Sequence, residues 1–169
     1  MSDANNPLIL NVGFIVHQSI GYIREFPFEF ETINLPPDTK LQNLNGFVRV
    51  TRTAQGLLVE VKMTAEMIAE CGRCLTEFQQ ALEADFMDLY AFTRSSVSEL
   101  GLLLPENGTI NLGPILRDEM RLSIPINPVC RADCKGLCQM CGANLNEEIC
   151  QHLQEETDPR MDQLRSFLD

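Results

Sequence analysis

Apolar and polar residues alternate along much of the N-terminal half of the chain, the signature of strands with one buried face. Leu8, Leu10, Val12, Phe14 and Val16 form the first such run and predict a strand. Phe26, Phe28 and Phe30 alternate with Glu25, Pro27, Glu29 and Glu31 and predict another. Pro27 has no N–H to give to a ladder, which assigns this strand to a sheet edge. The stretch 34–45, NLPPDTKLQNLN, is rich in Pro, Asp and Asn and reads as a loop.

From Gly46 to Phe92 the pattern predicts a meander. Val48 and Val50 begin one strand, and Ala54-Gln55-Gly56 makes the turn. Leu57, Val59, Val61, Met63 and Ala65 then alternate with Glu60, Lys62, Thr64 and Glu66 on the way to Cys71. Leu82, Ala84, Phe86, Tyr90 and Phe92 form the returning strand, so Cys71-Gly72-Arg73-Cys74 falls at the tip of a hairpin.

Between Thr93 and Gly108 the chain reads as a connection, with Ser95, Ser96, Ser98, Pro105 and Gly108 at its ends. The apolar run 100–104 inside it is expected to tuck onto the core. Gly113-Pro114 opens a helix to about Ser123, Pro114 standing where a missing N–H costs nothing. Ile115, Leu116, Met120 and Leu122 give that helix its apolar surface, and Pro125 and Pro128 lead the chain to Cys130. Asp158-Pro159 signals a terminal helix with Met161, Leu164 and Leu168 on its buried side. No internal repeat is expected beyond the reuse of cysteine couples. The fold class is therefore α+β: a mainly antiparallel meander or barrel-like sheet, a helix, a C-terminal zinc-knuckle segment and a terminal helix. A β-rich core, 1–129, and a cysteine-rich segment, 130–169, are expected to make one integrated domain.

Composition narrows the setting. With 44% hydrophobic and 22% charged residues the chain is an ordinary globular sequence. Asp3 stands where a signal peptide would be basic, Asn11 interrupts the first apolar run, and no stretch approaches the roughly 18 apolar residues of a membrane span. A cytoplasmic location is expected, where cysteines bind metal more readily than they form disulfides. The net charge of −11, with lysine only at 40, 62 and 135, disfavours gripping bare RNA through its phosphates. Segment 153–169 adds carboxylates against only Arg160 and Arg165. A basic protein partner fits this charge better.

Chemistry concentrates in residues 130–152, C-RAD-C-KGL-C-QM-C-GANLNEEI-C-Q-H. Cys130, Cys134, Cys138, Cys141, Cys150 and His152 there join Cys71 and Cys74 upstream. Four couples supply enough donors for two closed tetrahedral zinc sites with none left over. Cys138-x-x-Cys141 followed by Gly142 suits a zinc knuckle. Cys150 and His152 can close on it across a short loop at small entropic cost, leaving Cys71 and Cys74 to meet Cys130 and Cys134. This is the favoured of three pairings. The other two join Cys71 and Cys74 to Cys138 and Cys141 or to Cys150 and His152. His152 is a ligand or a surface residue beside a three-cysteine site. His17 is assigned no role. A donor count that saturates two metals leaves no open position for catalysis, so no catalytic residue is assigned.

The chain resembles the YceD family, named for large ribosomal RNA subunit accumulation. The resemblance is carried by Gly46-Phe47-Val48, by 57–70 leading into Cys71-Gly72-Arg73-Cys74-Leu75, and by Leu122-Ser123-Ile124-Pro125. It continues through Cys134-Lys135-Gly136-Leu137-Cys138, Cys141-Gly142-Ala143-Asn144-Leu145-Asn146 and Asp158-Pro159-Arg160. Where the family pattern has Cys-x-Cys, this chain has Cys150-Gln151-His152, and imidazole can replace thiolate on zinc. The resemblance implies a role in synthesis, processing or stability of large-subunit rRNA. The family's genes commonly neighbour that of a large-subunit ribosomal protein, which implies a ribosomal protein or pre-ribosomal particle as partner. It implies no reaction. Two other classes compete: a zinc-dependent protein-interaction module unconnected to ribosomes, and a hydrolase or thiol redox enzyme.

Overall fold

A computed structural model of the chain describes residues 7–94 and 102–152. Strands β1 (Ile9–Asn11), β2 (Ile23–Leu35), β3 (Thr39–Arg52), β4 (Gly56–Glu70), β5 (Glu77–Ala91), β6 (Leu102–Leu103) and β7 (Thr109–Asn111) are joined by two helices, α1 (Gly13–Val16) and α2 (Gly113–Leu122). The described residues form two compact units. One contains 7–69, 79–94 and 102–128, and the other contains 70–78 and 129–152. No helix among the described residues is long and apolar enough to cross a membrane.

The first unit is built on an open five-stranded sheet in the order β2-β3-β4-β5-β6. The class is α+β as expected, but the sheet does not close into a barrel. β2–β3 and β3–β4 pair antiparallel. Only six residues join neighbours β4 and β5, too few for a parallel crossover, so the meander continues. β5 and β6 pair parallel, Tyr90 opposite Leu102 and Ala91 opposite Leu103. The apolar run at 102–104 thus does more than connect: it adds an edge, with Leu102 and Leu104 packed against the core. β2, which carries Pro27, is the opposite edge.

Alternation fixes the core. Val59, Val61, Met63 and Ala65 of β4 are buried while Lys62 and Thr64 are exposed, and Leu82 and Ala84 of β5 follow the same rule. In α2, Leu116 and Met120, one helical turn apart, are fully buried. Leu122, expected on that face, is exposed.

Three local expectations are corrected. The strand over 8–16 is only three residues long. Asn11 Oδ1 accepts the Gly13 N–H at 3.2 Å and turns the chain into α1. Burial accordingly passes from Leu8, Leu10 and Val12 to Ile15, leaving Phe14 exposed. His17 caps α1 and is exposed. The loop over 34–45 is instead a β2–β3 hairpin turning through 36–38. Ile33 pairs with Leu41 and Leu35 with Thr39, all four buried, so period two persists under a turn-rich composition. Finally, the chain does contain a repeat. Leu10-Asn11-Val12-Gly13 and Ile110-Asn111-Leu112-Gly113 each end a short strand and begin a helix. Asn111 Oδ1 accepts the Gly113 N–H at 3.0 Å as Asn11 does for Gly13, and the strands pair with Leu10 opposite Ile110. The terminal helix expected after Asp158 lies outside the described residues.

Candidate metal centres

The second unit has little regular structure. Leu75 N–H donates to Cys71 O at 2.9 Å and Cys71 N–H to Thr76 O at 3.0 Å, closing the turn between β4 and β5. Leu75 takes a left-handed φ of 57° there. A second turn is built alike: Gly142 N–H donates to Cys138 O at 2.8 Å and Cys138 N–H to Ala143 O at 2.8 Å. Gly142 has φ 72°, the conformation such a turn needs and side chains resist. Gly136 has φ 77°, and a methyl group on it would stand 3.1 Å from Arg73 O. Arg73 O accepts the Leu137 N–H and Arg73 Nη1 donates to Cys134 O at 3.0 Å, fastening 134–137 onto the first turn.

The eight donors form two groups, Cys71, Cys74, Cys130 and Cys134 in one and Cys138, Cys141, Cys150 and His152 in the other. Within each, the ligand atoms all lie within 4.8 Å of one another. This is the division that loop closure favours. In the first group Cys71 Sγ is 3.9 Å from Cys134 Sγ and Cys74 Sγ is 3.7 Å from Cys130 Sγ. Zinc–sulfur bonds of about 2.3 Å set tetrahedral edges of about 3.8 Å, so the spacing fits one such ion. The second group is tighter. Cys150 Sγ lies 3.4 Å from both Cys138 and Cys141 and 3.1 Å from His152 Nδ1. All seven cysteines are free thiols. Both groups could bind metal ions, since three or four thiols converge with no competing hard ligand.

Their electrostatics suit a cation. Hydrogen bonding from the Cys130 backbone, outweighing burial, holds the Cys71 thiol down at about 6, and the Thr76 hydroxyl lowers Cys74. Burial and the neighbouring sulfurs push Cys130 up to about 12. In the second group the backbone at Cys141 and Met140 brings Cys138 down to about 6. The backbone at His152 favours the Cys150 thiolate, but the sulfurs of Cys138 and Cys141 and burial outweigh it and raise that thiol to about 11. Packed sulfurs cannot all ionise alone; a cation removes the conflict.

Residues to which the sequence assigned no role support the first group from outside. Asn146 Nδ2 donates to Cys134 Sγ at 3.4 Å, and its Oδ1 accepts from Lys135 N–H and Arg131 Nη2 at 2.9 Å each. Asn144 Oδ1 accepts from Asn146 Nδ2 at 2.8 Å. Both lie in the C-G-A-N-L-N string, yet composition and spacing give no signal for such a role.

The family model described as large ribosomal RNA subunit accumulation protein YceD matches residues 59–168. The chain belongs to the YceD family. Both donor groups fall inside the matched region. An uncharacterised protein of Mycobacterium tuberculosis is 34% identical over 127 residues, 72% of this chain. The chain spans about 60% of the length of that relative and of its Mycobacterium bovis counterpart. Arabidopsis thaliana has a chloroplastic protein named large ribosomal RNA subunit accumulation protein YCED homolog 1, 43% identical over 54 residues, 32% of this chain and 17% of its own. The uncharacterised protein YlbN of Bacillus subtilis is 24% identical over 151 residues, 83% of this chain and 88% of its own. No solved structure matches the chain significantly. The family's description names an accumulation protein and no reaction.

Proposed function

We propose that the chain is a non-enzymatic factor supporting synthesis, processing or stability of large-subunit ribosomal RNA, with its cysteine unit held by two structural zinc ions. One observation carries this reading: the family-matched region, 59–168, contains both four-donor groups whole. Cys71, Cys74, Cys130 and Cys134 hold one ion. Cys138, Cys141, Cys150 and the His152 imidazole hold the other. Bound there, zinc supplies cross-linking rather than chemistry, because four protein donors leave no position for water or substrate. Cys71 and Cys74 share a metal with Cys130 and Cys134, so the turn between β4 and β5 is tied to the segment that begins at Val129.

The net charge of −11 directs the partner toward a basic ribosomal protein or a pre-ribosomal particle presenting one, in the cytoplasm where assembly proceeds. The test is a deletion strain. Loss of the chain lowers the ratio of large- to small-subunit rRNA, and re-expression of the wild type restores it. The doubly substituted Cys71→Ser, Cys141→Ser chain does not. An unchanged ratio contradicts the ribosomal role and favours an interaction module unconnected to ribosomes.

A further inference from the structure

Asn146 belongs by sequence to the second donor group, in the loop from Cys141 to Cys150, yet its side chain serves the first. The direction of its carboxamide is fixed by its neighbours. Lys135 N–H and Arg131 Nη2 can only donate, so the atom facing them is Oδ1. Nδ2 therefore faces Cys134 Sγ at 3.4 Å and Asn144 Oδ1 at 2.8 Å, which engages both amide hydrogens. Asn144 holds the loop in the shape that presents Asn146. Its Oδ1 also accepts the Asn146 N–H at 3.1 Å, and its Nδ2 donates to Glu147 Oε1 at 2.9 Å. The backbone bridge between Leu137 and Asn144, with Leu145 N–H donating to Gly136 O at 2.9 Å, docks the same loop on the segment leaving Cys134.

We propose that Asn146 is a positioning residue that couples the two donor groups: closing the second group on its metal holds the Asn146 N–H against Cys134, and the first group binds its metal more tightly as a result. The inference rests on the zinc reading above. An N–H donated to a metal-bound sulfur stabilises the charge that the sulfur carries and fixes its orientation, and removing such an outer contact costs roughly 10–100-fold in metal affinity. The loop carrying Asn146 is pinned at both ends by the second group, at Cys141 and Cys150. Opening that group releases the ends of the loop, leaves it held only by its backbone bonds to 136–138, and loosens the donor. Coupling of this kind is reciprocal, so an occupied first group also strengthens the second.

The test is a double-mutant cycle on the full chain, with Co2+ as the probe and a coloured chelator as competitor. The absorption of the four-thiolate group is assigned with Cys141→Ser, which breaks the second group. Asn146→Asp keeps the acceptor for Lys135 and Arg131 but removes both Nδ2 donations, to Cys134 Sγ and to Asn144 Oδ1, and adds a charge. Asn146→Leu, which removes the donor without adding charge, is made beside it and is expected to weaken the first group as well. Asn146→Asp is expected to weaken the first group roughly 10–100-fold and to shift its sulfur-to-cobalt charge-transfer band. Cys141→Ser is expected to do the same in the wild-type background and to have little further effect once Asn146 is Asp. First-group affinity and band unchanged by Asn146→Asp, or effects of the two substitutions that simply add, overturn the coupling while leaving two metal sites standing. A wild-type chain that takes up no metal overturns the zinc reading and the coupling together.

Discussion

The two units fill their interiors with different residues. In the sheet unit, leucines, valines and methionines fill the interior; Leu8, Leu41, Leu44, Leu57, Leu116 and Met120 are all fully buried. In the described part of the cysteine unit no Leu, Ile, Val, Phe or Met is buried. Its buried residues are Cys71, Cys74, Cys134, Cys138, Cys150 and Gly136. Phe78, Val129 and Leu137 pack only partly against the first donor group. At roughly 25 cal/mol per Å2 of apolar surface, a few half-buried side chains cannot offset the ordering of a segment nearly devoid of helix or sheet. The sulfurs stand where a core would be, and in the proposed reading metal–sulfur bonds supply what apolar burial does not.

The most severe way to break this contrast is to remove the metal. Structural zinc contributes about 10–16 kcal/mol in small modules, so, on the proposed zinc reading, a strong chelator is expected to unfold the cysteine unit. Hydrogen exchange is expected to show amides in 129–152 losing protection while those of β3 and β4 keep theirs. Equal loss in both units contradicts separate means of stabilisation. Acid acts in the same direction. Cys71 and Cys138, held at about 6, are thiolates above that pH and protonate below it. Metal affinity is therefore expected to be highest at pH 7–8 and to weaken as pH falls below about 6, where protons compete for these sulfurs, with release at a lower pH read by a coloured chelator.

A cavity in the sheet unit should do the converse. Leu57→Ala is expected to cost about 2–5 kcal/mol in denaturant unfolding of the sheet, with metal content unchanged. Gly136→Ala sharpens the contrast from the other side. It forces a side chain into left-handed backbone against Arg73 O, and a loss of about 1–2 kcal/mol should appear as weaker metal retention, with sheet unfolding unaffected. The smallest effect belongs to the Lys62–Asp85 pair, 3.0 Å apart with both side chains more than half exposed. Lys62→Ala should change stability by about 0–1 kcal/mol, less in high salt.

What could be read from sequence follows the same division. Period-two alternation located β2, β3, β4 and β5 because burial on one sheet face leaves a direct trace in the chain. It failed over 8–16, where a single Asn side chain bends the backbone, and over 34–45, where turn-forming residues mask alternating Ile33, Leu35 and Leu41. The repeat of Asn11-Val12-Gly13 in Asn111-Leu112-Gly113 is short and widely separated, and it stands out only once both asparagines are seen to accept the same N–H. The convergence of seven cysteines and His152 in two groups was legible, because spacing and loop length limit which couples can meet. Asn146, which donates to Cys134, and Asn144, which supports it, were not, because a hydrogen bond across a folded loop has no period.

The most direct measurement is zinc per chain by elemental analysis, on protein purified without chelator, for the wild type, Cys71→Ser, Cys141→Ser and the double variant. Two zinc ions in the wild type, one in each single variant and none in the double variant are predicted. A wild type without metal would contradict a cysteine unit built around zinc. A single ion would leave one of the two groups to be explained as a cluster of packed thiols.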